Sequence, residues 1–501
     1  MFTQLKISSS VFILFFGLGV ITINSVKASA QTPNKSLPSS AASRSPLKPC
    51  DISGLDGEVL CGKYEVYENR NSKIGRKIAL NVVVLRALSA NPAPDPLFTF
   101  AGGPGQAETE DVKDNAQRFF DIRRDRDIVM VDQRGTGLSN PLDCNFGGAN
   151  ELVQAFLAGD LPIEKVEECR KQLEQKANLK FYTTPFAIDD IDDVRAWLGY
   201  DRINLYGGSY GSRAAMVYLR QHPKHVRTVT IRAIFPLTLK NPLYSPRDGQ
   251  QSLNRLFSDC AADEACAKAF PTLKQDFQTV LERLAQSPTK IKVTDPRTKE
   301  TVEITITRDV FAGGVRRLLY HPNSQRLIPT LIRSAFANDY KAFESIVAQI
   351  LGIEKVLSTG MFLSVTCAED VPLIRQRDIA RETNGTFIGS TMVQSLVGSC
   401  KAWKRGKLPA NYNTPIRSDA PVLLFSGALD PMTPPVYGAE VARHLPNSLH
   451  IVMNGIAHSP FPSCAIGVMT QFILKGDTKG LDTSCVDKLS RPAFIVSPAK
   501  K

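Results

Sequence analysis

Ile203-Asn204-Leu205-Tyr206-Gly207-Gly208-Ser209-Tyr210-Gly211 carries the reading of this chain. Ile203 to Tyr206 is a short apolar run of strand character, and a helix is expected to begin near Gly211. Between them, Gly207 to Gly211 spells G-x-S-x-G. At a sharp strand-to-helix turn this pattern strains the serine backbone and exposes its hydroxyl, while the flanking glycines let strand and helix pass closely. Ser209 is therefore the candidate nucleophile. The alternative is a Gly-rich structural turn, and the residues around it decide between the two.

Working outward, Ile78 to Arg86, Leu97 to Ala101 and Asp127 to Asp132 read as strands. Phe186 to Leu198 reads as a helix, with Ala187, Ile191, Val194 and Leu198 on one face and Gly199 as its stop. From about Asn241 to Ser418 the pattern is mostly helical, as in Leu273 to Ala285 and Leu327 to Ala337, with one hairpin-like stretch at Ile291 to Thr307. Strand–helix alternation resumes with Val422 to Ser426 and Leu449 to Met453. Such alternation argues for an α/β fold on a mostly parallel sheet. Its interruption argues for an inserted, mainly helical cap. The expected organisation is a core over residues 48–240, a cap over 241–418 and completion of the core over 419–501.

A nucleophilic serine needs a base, and there are six histidines. His222 and His225 sit at the far end of the helix after Ser209 and are expected at the surface. His321 lies in the helical block, His444 on a helix and His450 at a strand start. His458 follows the strand Leu449 to Met453 in the loop Gly455-Ile456-Ala457-His458, which makes it the base by position and elimination. The acid should follow the preceding strand, and Asp430 does so in Gly427-Ala428-Leu429-Asp430-Pro431-Met432-Thr433-Pro434. Thr433 with Pro434 offers the next helix a cap and a first residue. That leaves Asp430 free to orient His458. Gly102-Gly103-Pro104-Gly105 follows an early strand, where backbone N–H groups can approach a developing oxyanion. Gly103 N–H and Tyr210 N–H are the expected donors. No G-K-[ST] follows, which disfavours a phosphate loop.

With these residues in place, the chain resembles the proline iminopeptidase and tripeptidyl-aminopeptidase-like branch of the α/β-hydrolases. The resemblance rests on Gly102 to Gly105, on Asp132-Gln133-Arg134-Gly135-Thr136-Gly137, on the run from Asp189-Asp190 to Gly211, on Cys367-Ala368-Glu369-Asp370, and on the Gly427 to Pro434 and His458 loops of the C-terminal region. It implies an α/β-hydrolase core with a helical cap, and a serine exopeptidase that removes residues from peptide N-termini without a metal or cofactor. Ala101 stands where iminopeptidases often carry a histidine, which weakens the prolyl assignment more than the hydrolase one. An aminopeptidase must also hold a free α-ammonium, largely charged at neutral pH. A cap carboxylate is the natural partner, with Glu369 first and Asp370 second; a solvated or helix-capping acid is the alternative. Arg134 is read as structural.

Composition bounds the remainder. Over 501 residues, 43% are hydrophobic and 22% charged, which excludes a disordered, collagen-like or coiled-coil chain. Lys6, the apolar run Val11 to Ile23 and the small residues Ala28-Ser29-Ala30 predict a Sec-type signal peptide over residues 1–30, followed by a flexible lead-in over 31–47. The expected location is secreted or periplasmic, without stable membrane insertion. Loss of Lys6 and Lys27 lowers the formal charge from +12 to +10, and the remaining basic residues are scattered, so no nucleic-acid partner is expected. Ten cysteines fall in sequence-local couples: Cys50 with Cys61, Cys144 with Cys169, Cys260 with Cys266, Cys367 with Cys400, and Cys464 with Cys485. In an exported chain they favour disulfides, and the absence of C-x-x-C spacing argues against zinc. The expected partners are peptides with a free N-terminus. An esterase or lipase would use the same residues, a serine carboxypeptidase fits the Gly-Gly-Pro-Gly loop less well, and a non-catalytic hydrolase-like binding module would ordinarily lack one of the three candidates. None of these features encodes an oligomeric state.

Overall fold

The short apolar runs become the strands of one nine-stranded sheet. The structure is a computed structural model and describes residues 47–144, 149–351 and 357–496; the signal-peptide reading lies outside them. The strands are β1 (Lys48–Pro49), β2 (Val59–Tyr67), β3 (Lys77–Leu85), β4 (Leu97–Phe100), β5 (Ile128–Val131), β6 (Ile203–Gly208), β7 (Val226–Arg232), the hairpin β8 (Thr289–Thr294) and β9 (Thr301–Ile306), then β10 (Val422–Gly427) and β11 (Ser448–Met453). The main sheet runs in the order β1-β2-β3-β5-β4-β6-β7-β10-β11, and β8 and β9 pair apart. From β5 to β11 every neighbour is parallel, while β1, β2 and β3 form an antiparallel edge.

Every residue of β4, β5, β6 and β10 is buried, because helices cover both faces. Side chains alternate between those faces. Val82, Val84, Phe98 and Leu205 pack with Ile188, Ile191 and Val194 of the Thr184–Trp197 helix. Val83, Leu85, Leu97 and Tyr206 pack on the opposite side with Phe119, Met469 and Phe472.

The apolar clusters do not follow chain order. The hairpin and the helices of residues 245–351 share one cluster, which also takes Val153 and Leu157 from the Ala149–Ala158 helix and Phe494 near the C-terminus. The Thr359–Glu369 and Thr391–Ala402 helices instead join the sheet's cluster through Met361, Val365 and Leu396. Two strands that no apolar run announces are β2 (VLCGKYEVY) and β7 (VRTVTIR), where polar residues break the run. Five disulfides join the sequence-local couples, with separations of 6 to 33 residues.

A tight approach joins β4 to the helix that follows β6. A Cβ on Gly211 would lie 2.1 Å from the carbonyl oxygen of Phe100, a backbone atom that cannot swing aside. Gly211→Ala is expected to cost about 1–3 kcal/mol by forcing strand and helix apart. Urea unfolding monitored by circular dichroism measures this directly, and a variant as stable as the parent would count against the tight crossing.

Candidate active site

Two pairs of neighbouring strands deliver the candidate residues to one end of the sheet. β4 and β6 pair with Phe100 opposite Gly207, so the loop that opens at Gly102 and the turn at Ser209 leave the sheet side by side. A Cβ on Gly102 would lie 3.7 Å from the Cβ of Ser209. β10 and β11 pair with Gly427 opposite Met453, which brings the Asp430 and His458 loops together, and Leu429 N–H donates to Ile456 O at 2.9 Å. β7 lies between the two pairs. This is the crevice beyond the carboxyl ends of parallel strands where α/β sheets bind ligands.

Ser209 has φ 57° and ψ −127°, at the junction between β6 and the Tyr210–Gln221 helix. A non-glycine residue in that region carries strain of about 1–3 kcal/mol. The surroundings enforce it. Ser209 N–H donates to Arg232 O at 3.1 Å, while Ser212 N–H and its hydroxyl both donate to Ser209 O, at 2.9 and 2.6 Å. Tyr210 is buried, and its hydroxyl lies 2.8 Å from Thr184 Oγ1 and donates to Gln133 Oε1 at 3.3 Å. In the adjacent loop Gly103 and Gly105 both have φ of 107°, a region that favours glycine. Ser358, just before the Thr359–Glu369 helix, closes over this loop by donating its N–H to Gly105 O at 2.8 Å.

His458 Nδ1 lies 3.0 Å from Asp430 Oδ2 and 3.1 Å from Oδ1. Asp430 is buried and also accepts Met432 N–H at 2.8 Å, Thr433 N–H at 2.9 Å and the Thr433 hydroxyl at 2.6 Å. Burial alone would raise its pKa; His458 and the Thr433 donors outweigh burial and hold the carboxyl below its usual range. An ionised acid on Nδ1 leaves Nε2 as the nitrogen able to accept a proton. The cap expected at Thr433 moves by one residue. The next helix starts at Pro435 with Pro434 before it, and Thr433 turns its hydroxyl onto Asp430, so the acid braces its own turn as well as the histidine.

Two contributors have no signature in the sequence. Arg232 donates to His458 O at 2.9 Å and to Tyr206 OH at 2.9 Å, so the residue that accepts from Ser209 N–H also fixes the histidine loop. Tyr320 sets its ring edge-on to the His458 imidazole, with centroids 5.3 Å apart, and accepts Ser459 N–H through its carbonyl at 3.0 Å. The contacts of Arg232 and Tyr320 with His458 join residues more than a hundred positions apart, where no spacing pattern could reveal them.

Glu369 and Asp370 lie in a buried layer behind the turn. Glu369 accepts Thr184 N–H at 2.7 Å, the Thr184 hydroxyl at 2.9 Å and the Tyr412 hydroxyl, while Asp370 takes both terminal nitrogens of Arg213 at 2.9 and 3.1 Å. Burial pushes Glu369 up to about 7 against the pull of Arg213, and burial likewise raises Asp370. Neither carboxylate is open to solvent. An ammonium could reach one only by displacing Thr184, Tyr412 or Arg213. Arg134 is also fully buried and grips Asp190 with two nitrogens at 2.6 and 2.7 Å. Among the described residues, Asp192, His222 and His225 are close enough to share a cation, with ligand atoms within 4.8 Å. Those histidines are half-buried rather than at the surface. Asp192 already accepts from Arg195 and Tyr218, both at 2.7 Å, and a guanidinium on the acid disfavours a metal.

Comparison with known proteins shows the fold family. The alpha/beta hydrolase fold family matches residues 102–463. Serine protease Hip1 of Mycobacterium tuberculosis is 23% identical over 470 residues, covering 86% of this chain and 88% of its own length. A proline iminopeptidase of Xylella fastidiosa is 29% identical over 193 residues, covering 38% of this chain and 48% of its own. The crystal structure of proline iminopeptidase from Mycobacterium smegmatis matches with a TM-score of 0.40 and 18% identity, covering 83% of this chain and 99% of its own.

The buried acid layer has a pH signature. Glu369 binds its proton more tightly folded than unfolded, so its contribution is complete below about pH 4.3, the unfolded value, and is lost as pH rises through about 7. Glu369→Gln is expected to flatten the fall in melting temperature between about pH 4.5 and 7. A slope equal to the parent's in thermal scans across that range would sink this assignment.

Proposed function

Because the chain belongs to the alpha/beta hydrolase fold family, we propose that it is an exported serine hydrolase of the peptidase kind, an aminopeptidase that releases N-terminal residues or short peptides. The observation that carries this is the Asp430–His458 pair, held by Arg232 to the same strand that fixes the strained Ser209. In this reading His458 takes the Ser209 proton as the hydroxyl attacks the scissile carbonyl, and Asp430 stabilises the imidazolium. Tyr210 N–H, at the start of a helix, and Gly103 N–H, in the adjoining glycine loop, hold the oxyanion. His458 then returns its proton to the leaving amine, and water releases the acyl group from Ser209 by the same route.

Peptide bonds rather than esters are favoured by Hip1, named a serine protease and alike over most of both chains, and by the proline iminopeptidase alike over 38% of this chain. Five disulfides and the N-terminal apolar run favour export. Glu369 and Asp370, the acids expected to meet the substrate ammonium, act in this reading as supports: Glu369 through Thr184 to Tyr210, and Asp370 through Arg213. An esterase on the same triad is the second reading, and the test separates the two.

Free-amine aminoacyl and tripeptidyl anilides, their N-acetylated forms and a simple ester make the panel. Cleavage of only the free-amine anilides is expected. Ser209→Ala should lower it by roughly 10⁶-fold, and Asp430→Asn by about 10⁴-fold. Ester turnover without anilide cleavage would overturn the peptidase reading, and Ser209-independent turnover would overturn the mechanism.

A further inference from the structure

Among the described residues, one cation beside the site pairs with no carboxylate. Arg316 stands on the Arg308–Leu318 helix, and its Nη2 lies 3.0 Å from the Tyr320 hydroxyl and 3.4 Å from Met432 Sδ. Those two residues bracket the catalytic pair: Met432 follows Asp430 by two positions, and the Tyr320 ring meets the edge of His458. Arg316 Nε is buried and has no hydrogen-bond partner. Among the described residues no carboxylate pairs with this guanidinium, nor with that of Arg317 beside it, which lies over the Phe156 ring. A phenol and a thioether are weak, neutral acceptors for a group that ordinarily takes a planar, two-oxygen partner. A half-buried charge left in that state is costly unless an anion completes it. The adjacent Arg317 makes the local potential more positive still; burial and the charge of Arg316 both hold its guanidinium below its usual range.

The position within the site says which half of a substrate would supply the anion. In acyl transfer the histidine hands its proton to the leaving nitrogen, so the leaving half of a peptide lies against the histidine. Tyr320 occupies that side, and Arg316 lies immediately behind it. A residue spans about 3.3–3.6 Å of extended chain, so one or two residues beyond the scissile nitrogen bring a C-terminal carboxylate to this region. We propose that Arg316 binds the C-terminal carboxylate of the leaving peptide, which makes short peptides with a free C-terminus the substrate class. This rests on the peptidase reading above and adds to it a limit on length and a recognised group.

The test compares kcat/KM for trialanine as the free acid, for its C-terminal amide, and for an amide of equal length that carries an acidic side chain in the last position. Free-amine anilide turnover is followed in the same preparations. The parent is expected to prefer the free acid over the plain amide by roughly 10- to 100-fold, the worth of one charge-assisted hydrogen-bonded contact. Arg316→Gln should bring that ratio to within about twofold, and Arg316→Lys should keep part of it. Melting temperatures check that each variant folds; if Arg316→Gln does not, the parent's own ratio and the Arg316→Lys variant decide. Anilide cleavage with no acid-over-amide preference in the parent overturns this inference and leaves the peptidase reading standing. A preference for the acidic-side-chain amide over the free acid overturns the assignment to the terminal carboxylate. Failure of every peptide and anilide overturns the peptidase reading, and the inference falls with it.

Discussion

The backbone of Ser209 is the constraint around which the rest of the site is arranged. A serine at φ 57° persists only where neighbouring groups over-determine it. Here Arg232 O holds the residue's N–H, Ser212 holds its carbonyl twice, and Phe235 N–H in turn donates to the Ser212 hydroxyl at 2.9 Å. Gly207 and Gly211 remove the side chains that would collide at this crossing: a Cβ on Gly207 would lie 2.1 Å from Gly211 O. The strain is thus met by contacts from β7 and from the loop after it. The same β7 residue reaches His458 O, so Ser209 and His458 take their positions from one strand end rather than from two independent loops.

Behind the turn lies a second layer whose electrostatics differ from the first. Asp430 is buried yet held ionised by His458 and by the donors of its own turn. Glu369 is equally buried but shares its nearest cation, Arg213, with Asp370, which takes the direct contacts at 2.9 and 3.1 Å while Glu369 stands at 3.7 Å. One guanidinium does not fully compensate two desolvated carboxylates, so the more distant one rises to about 7. Thr184 passes this layer's position to the Tyr210 hydroxyl, and Tyr210 carries a backbone N–H of the expected oxyanion pair. A carboxylate can therefore matter to this site without touching substrate.

How much of this was legible in the sequence follows from which contacts are local. Ser209, Asp430 and His458 each stand in a loop directly after an apolar strand, so strand recognition and chain order suffice to nominate them. The parallel sheet and the cysteine couples are readable for the same reason. Arg232 was not readable, because β7 alternates threonine and arginine with its apolar residues and no run marks it. Thr433 was visible as a cap, but its hydroxyl found a carboxylate closer than the helix end. Glu369 and Asp370 were legible as chemistry and not as place: nothing in Cys367 to Asp370 reveals that Arg213, more than 150 residues earlier, packs against it. Cluster membership was equally hidden, since the Ala149–Ala158 helix packs with the hairpin while the Thr359–Glu369 helix packs with the sheet.

That last division bears on how the site can vary. The loop of Gly102 to Gly105 is closed by Ser358, which leads into the Thr359–Glu369 helix of the sheet's own cluster. The histidine is faced instead by Tyr320, which follows a helix of the other cluster. The Gly102 to Gly105 loop is therefore built on the elements that hold Ser209, whereas the far side of His458 is walled by a separately packed block. Substitutions in that block can reshape the surface facing His458 while the strained turn, its acid layer and the Gly102 to Gly105 loop keep their contacts. Under the proposed reading, a fold arranged this way confines the demand for sub-ångström positioning to the sheet and leaves the choice of leaving group to surfaces such as that of Arg316 and Tyr320.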